Sequence, residues 1–306
     1  MLSGVFYWLL SMSIAGGAAC LAVLCLRKIK KLPKPAVFWF WIIPMLRFVL
    51  PLGVASRFSL MALVSKFATK TVVVYDGAQI APDLTFANCI TAADSYFPIA
   101  YKTNLLENVF HTASIVWAAV AALAVLAAVV LYAVARREIK GAACGKDGIC
   151  FSDRAASPAL YGVFRPKIVV PSHMAGENLT YVALHEAAHA ARRDNLWRCA
   201  AVFICCIHWF NPLCWISLKY FFEDMELACD SRAVKSLSKA QRREYARALI
   251  AAARGKNLFA AAFGGAKIKD RMENVLSYRR LTAASAAAFA ALTIAIVLVF
   301  ITNAPV

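Results

Sequence analysis

Acidic side chains are scarce in this sequence: 17 Asp and Glu stand against 34 Lys and Arg among 306 residues, for a formal net charge of +17. Charge of either sign is thin, at 17% of residues, and the hydrophobic share of 61% excludes a disordered chain, which needs low hydrophobicity. It also fits poorly with one soluble globule, whose apolar share is about half. Internal repeats and low-complexity linkers are lacking. So is any zinc-finger spacing or RNA-binding signature, which leaves direct nucleic-acid binding without support. No basic residues precede the first apolar run, where a cleaved signal peptide would carry them. Arg27, Lys28, Lys30, Lys31 and Lys34 follow it instead, the pattern of an uncleaved anchor with its N-terminus outside.

What is present is uncharged length. Met1 to Leu26, Thr112 to Ala135 and Leu281 to Val306 hold no charged side chain, and each reaches the ~20 residues that a helix needs to cross hydrocarbon. A fourth run, Ala36 to Ser56, is interrupted by Arg47, Pro44 and Pro51, yet Phe38-Trp-Phe-Trp41 suits an interfacial aromatic belt. It is taken as a span in which Arg47, costly in lipid, points into the bundle. Lys and Arg number five in 27–34, three in 65–111 and 24 in 136–280, and the basic loops belong inside. The expectation is an α-helical membrane protein with spans at about 1–26, 36–56, 112–135 and 281–306, an extracytoplasmic loop at 65–111 and both termini outside. Residues 136–280 form a cytoplasmic domain between spans 3 and 4. Its basic charge then suits anionic lipid headgroups of the bilayer. The outer loop holds one cysteine, Cys89, and Cys144, Cys150 and Cys229 lack knuckle spacing. All ten cysteines read as reduced packing residues.

The cytoplasmic segment begins strand-like, with a turn cluster at 144–148 and two short strands in 157–171 broken by Gly162 and Pro166. From Asn178 it reads as helices. The chemistry lies in the first of them, at His185-Glu-Ala-Ala-His189. Two histidines four apart project from one helix face and can reach one metal ion, and the adjacent Glu186 can deprotonate a water there. A catalytic zinc site needs a third protein ligand, and Glu223, Glu226 and Asp230, spaced by three and four, offer carboxylates from one face. One can bind zinc while another hydrogen-bonds a ligand histidine. The uncharged run Cys199 to Leu218 would separate these carboxylates from the histidines if it crossed the membrane. Asn211-Pro212 is a helix-start signal, so the run is expected to be a helical hairpin, 199–218, that dips into the membrane and returns.

His185-Glu-Ala-Ala-His-Ala-Ala-Arg-Arg-Asp194, His208-Trp-Phe-Asn-Pro-Leu213 and Asp224-Met-Glu-Leu-Ala-Cys-Asp230, in that order, resemble the BlaR/MecR-type integral-membrane zinc metallopeptidases, the antirepressors of beta-lactam resistance. Phe164-Arg-Pro-Lys-Ile-Val-Val-Pro171 and the stretch from Phe263-Gly-Gly to Lys269-Asp-Arg271 are similar to that family too. The resemblance implies an α+β gluzincin-like metalloprotease domain in the bacterial cytoplasmic membrane, with one zinc per chain on His185, His189 and Glu226. Glu186 would be the general base and Asp230 the partner behind a ligand histidine. The substrate would be a cytoplasmic repressor, with self-cleavage as a second reaction; because the sequence ends at Val306, beta-lactam sensing is not expected. A housekeeping protease of the prenyl-protein or heat-shock type is the alternative enzyme, and a non-catalytic membrane receptor the alternative of another class. Charged residues around Arg192, Arg193, Asp194 and Arg198 disfavour a site-2 intramembrane protease. His208 and Arg232 are candidates by chemistry to stabilise an oxyanion. Pro166 marks the strand Val163 to Val170 as a sheet edge, so Phe164, Arg165, Ile168, Val169 and Val170 are expected to pair with an extended substrate.

Overall fold

The computed structural model of the protein describes residues 2–29, 32–50, 104–139, 141–145, 148–172, 174, 178–252, 266–278 and 283–300. Helix α1 (Leu2–Arg27) stays uncharged until Arg27 closes it, and α2 (Lys34–Phe40) and α3 (Ile42–Val49) follow. The expected span 36–56 is therefore not one helix. Pro44 has no N–H to donate to the Phe40 carbonyl and its ring crowds that carbonyl, so the chain breaks at Trp41; residues 51–56 lie outside the described residues. Arg47 is 4% exposed and does point inward. Gly16 lets α3 lie close on α1, because an added Cβ would fall 2.6 Å from the Phe48 ring.

Helix α4 (Asn104–Ala135) starts eight residues before the expected span, so the end of the 65–111 loop is helical; the rest of that loop lies outside the described residues. Leu2–Arg27 and Glu107–Ala135 are, among the described residues, two helices long and apolar enough to cross a membrane. The last helix, α10 (Ala283–Phe300), is uncharged throughout.

After a 3-10 turn at Arg136–Ile139 come β1 (Ala143–Cys144), β2 (Ile149–Ser152), β3 (Ala159–Tyr161) and β4 (Lys167–Pro171), ordered β1-β2-β4-β3. β4 runs parallel to β2 and antiparallel to β3. This corrects the edge-strand expectation. Ile168 faces Ile149 on one side and Leu160 on the other, and Val169 and Val170 are fully buried. Pro166 precedes the strand and costs it no ladder bond, which is why a proline here does not mark an edge. Phe164 and Arg165 lie in the β3–β4 turn. The cysteines need a correction too: β1 and β2 align Cys144 with Cys150, and the two form a disulfide.

Helices α5 (Asn178–Arg192), α6 (Asp194–Ile207), α7 (Pro212–Ala233), α8 (Lys239–Ala252) and α9 (Ile268–Leu276) complete the described fold. Asn211 caps α7, its side chain accepting from the Leu213 N–H at 2.9 Å, with Pro212 as the first helical residue. The Asn211 amide also donates to Ser13 O and Ser13 Oγ at 3.0 and 2.9 Å, halfway along α1. Trp117 of α4 donates to Ile207 O at 2.8 Å, and His208 Nε2 lies 3.0 Å from Phe48 O. The α6–α7 turn is thus held inside the bundle of α1, α3 and α4. Two apolar clusters share α7: one joins α1, α2, α3, α6, α7 as far as Ala228 and Ile296 of α10, the other joins α5, the end of α7, α8 and α9.

Candidate metal centre

The α6–α7 hairpin decides which groups meet. It turns the chain back on itself, so the second half of α7 lies against α5 and brings its carboxylates to the histidines. His185 and His189 are buried, and their Nε2 atoms stand 3.1 Å apart. Glu226 puts Oε2 3.4 Å from His185 Nε2 and Oε1 3.5 Å from His189 Nε2. Ligand atoms tetrahedral about zinc at its usual bond lengths of 2.0–2.1 Å stand about 3.3 Å from one another. The three donors have the spacing of such a set.

The tautomers fit as well. His189 Nδ1 lies 2.6 Å from Asp194 Oδ2, a fully buried carboxylate, so Nδ1 carries a proton toward it and Nε2 is the nitrogen left to face a metal ion. His185 Nδ1 lies 2.9 Å from Tyr245 Oη and 3.1 Å from Asp230 Oδ1, and the Tyr245 hydroxyl donates to that same oxygen at 2.8 Å. Each imidazole is backed by a carboxylate and presents Nε2 to the same point. Asp230 is thus placed beside His185, and Asp194, which the sequence did not single out, stands in the same relation to His189.

Charge in the site is dense. Arg271 of α9 bonds Asp230 through Nε and Nη2, both at 2.8 Å, and its Nη2 lies 3.1 Å from His185 Nε2. Arg198 of α6 donates to Glu226 Oε1 at 2.8 Å, and Arg192 holds Asp194 at 2.7 Å. Burial and Arg271 oppose protonation of His185, but Cys229 and the carboxylates of Asp230 and Glu226 outweigh them and push it up to about 9. Burial likewise opposes a charge on His189, yet Cys229, Glu226 and Asp194 hold its pKa well above the ordinary histidine value. Burial would raise Glu226, and the two histidines with Arg271 pull it well below the usual carboxylate range instead. Asp230 is lowered against its burial, chiefly by Arg271. The donors attract protons because carboxylates surround them, and a divalent cation meets the same demand.

Glu186 follows His185 on α5, is 7% exposed, and among the described residues has no hydrogen bond or ion pair. The other acidic residues of α7 go elsewhere: Glu223 pairs with Arg27 at 3.2 Å, and Asp224 accepts from Arg27 Nε at 2.6 Å and Trp41 Nε1 at 2.8 Å. Glu223 is thereby removed from the ligand choice. Cys229 enters it, since its sulfur lies within 4.8 Å of ligand nitrogens of both histidines. It donates to His185 O at 3.5 Å. His208 is in the hairpin turn and Arg232 is exposed, so neither oxyanion candidate is at the site; Arg271 is the guanidinium that is. No local spacing announced Arg271 or Tyr245. Asp194 had one signal, standing five residues after His189 at the start of the next helix.

The description "BlaR1 peptidase M56" belongs to the family model that matches residues 7–280. Among characterised proteins, "Regulatory protein BlaR1" of Bacillus licheniformis is 33% identical over 97 residues, covering 31% of this chain and 16% of that protein. "Methicillin resistance mecR1 protein" of Staphylococcus aureus (strain Mu50 / ATCC 700699) is 27% identical over 106 residues, 33% of this chain and 18% of that one. The aligned stretches span less than a fifth of the relatives' length.

Proposed function

The chain belongs to the BlaR1 peptidase M56 family, and from that premise we propose a membrane-embedded zinc metalloendopeptidase that cleaves a cytoplasmic transcriptional repressor. The observation that carries this reading is the convergence of His185 Nε2, His189 Nε2 and the Glu226 carboxylate at 3.1–3.5 Å, with Asp230 and Asp194 behind the two rings. His185, His189 and Glu226 hold one zinc, which when bound supplies Lewis acidity to a water and to the scissile carbonyl. Glu186, beside the first ligand, takes the water's proton on its carboxylate and passes it to the leaving amine. Arg271, fixed by two bonds to Asp230, offers positive charge where the carbonyl oxygen becomes negative.

Placement in the membrane follows the same logic. In this reading α1, the 36–56 region, α4 and α10 are the four spans, both termini are outside, and the α6–α7 hairpin enters the bilayer from the cytoplasmic side without crossing it. The Asn211–Ser13 bonds at mid-α1 support that depth. The names of the relatives, a regulatory protein and a methicillin-resistance protein, favour a regulatory substrate over housekeeping proteolysis.

The test is Glu186→Gln in the full chain, co-expressed with any winged-helix repressor encoded beside the gene. The amide keeps shape and loses the base, so zinc content stays at the wild-type level while repressor cleavage stops. Cleavage at the wild-type rate would remove Glu186 from the reaction.

A further inference from the structure

Phe164 is 91% exposed, the highest value among the exposed large hydrophobic residues of the described chain, whereas the others above 55% lie on α4 or α10. Its neighbours Arg165, Pro166 and Lys167 are exposed as well. A lone exposed apolar side chain needs no explanation, but this one sits on a built support. The turn starts at Gly162, with φ +94°, and a Cβ there would meet Arg165 O at 2.7 Å, so the loop closes tightly on itself. Asn195 then ties it to the first turn of α6, its amide donating to Leu160 O at 2.8 Å and Gly162 O at 2.9 Å.

Helix α6 fixes the depth of the tip. From Asn195 down to Ile207, beside the turn bonded to mid-α1, the helix rises ~18 Å. Half the hydrocarbon core of a bilayer is ~15 Å. Along the way α6 turns Leu196, Cys199 and Phe203 outward, at three- and four-residue spacing on one face. The β3–β4 turn stands at the top of that apolar stripe. Arg27 and Glu223 give an independent reading of the level: their ion pair lies about 17 Å above Pro212 along α7.

We propose that the β3–β4 turn is a lipid anchor, with Phe164 inserted at the boundary of an anionic leaflet and Arg165 and Lys167 on its headgroups. The inference rests on the membrane placement above. A Phe ring on the apolar side with Lys and Arg beside it is a composition that interfacial segments share, and a turn preformed by Gly162 loses little freedom on insertion. Anchored there, the sheet and the α5 helix beside it are held against the membrane surface.

The full chain in nanodiscs containing phosphatidylglycerol, with trifluoromethyl-phenylalanine at position 164 or, as control, at 203, tests this by fluorine resonance. Lipid spin-labelled near the headgroup should broaden the Phe164 signal, and a water-soluble nickel chelate should leave it sharp. Replacing both cations, Arg165→Gln with Lys167→Gln, should lower the ratio of lipid-contacting to free turn roughly thirtyfold; no change would overturn the assignment to an anionic surface. A Phe164 probe open to the chelate while the Phe203 probe contacts lipid would overturn the anchor alone. Both probes open to the chelate would sink the membrane placement and the anchor with it. Protection of Phe164 that arises only on adding a peptide substrate would assign the turn to peptide and overturn the proposal.

Discussion

Arg27, the last residue of α1, grips Asp224 of α7 at 2.6 Å, two residues before Glu226. The carboxylate is 1% exposed and takes a second bond from Trp41, at the α2–α3 break. A ligand of the candidate metal centre is therefore held in register by the apolar bundle. Arg27→Gln leaves a buried carboxylate short of a charged donor, a loss of about 1.5–3 kcal/mol, and thermal unfolding of the purified chain should shift down accordingly. Asp224→Asn, which keeps an acceptor for Trp41, should shift it less. Equal melting of Arg27→Gln and wild type would show that the pair does not hold α7.

Asp194 and Asp230 set the tautomers of the two histidines. Asp194→Asn and Asp230→Asn should each weaken zinc binding about 10–100-fold, measured by competition with a chromophoric chelator, while helix content stays constant. Unchanged affinity in both would mean that the carboxylates serve only packing.

How far such a site can be foreseen depends on where its partners lie. His185 and His189 are legible because four residues of one helix bring them together, and Asn211-Pro212 because a cap is local. Arg271 reaches His185 across 86 positions and Tyr245 reaches it across 60, so their roles exist only once α8 and α9 have packed. Glu226 and Glu223 share a helix face and differ only in what faces them, Nε2 atoms in one case and Arg27 in the other. Strand order is non-local for the same reason: Pro166 suggested an edge, yet β2 pairs with β4 from beyond β3. The break at Trp41 was recoverable from Pro44, whose missing donor falls on Phe40.

In the proposed site zinc would compete with protons for the histidines. Against the pull of burial and Arg271, Cys229, Asp230 and Glu226 raise His185 to about 9, and His189 is raised as well, so affinity should keep climbing with pH until about 9, by up to about tenfold per unit for each histidine proton released. In protein stripped of metal, the raised pKa gives stability that is full below the unfolded value of about 6.5 and is lost as pH rises toward 9. Isothermal titration and thermal melts between pH 6 and pH 9.5 check both; affinity that levels off above about pH 7 would contradict the anionic surroundings.

Because β4 is flanked on both sides, Ile168→Pro should break the sheet rather than weaken substrate binding alone. A lost ladder bond leaves a partner unsatisfied at about 1–3 kcal/mol, and limited proteolysis should cut 149–171 readily in the variant. Normal protease resistance with a raised substrate requirement would restore β4 as a substrate strand.

If His185, His189 and Glu226 hold zinc, X-ray absorption at the zinc edge of the purified full chain should show one zinc per chain with only nitrogen and oxygen neighbours near 2.0–2.1 Å, and Glu226→Gln should lose the metal while Cys229→Ser keeps it. A sulfur neighbour near 2.3 Å, lost in Cys229→Ser, would instead make Cys229 the third ligand and displace Glu226 from that place.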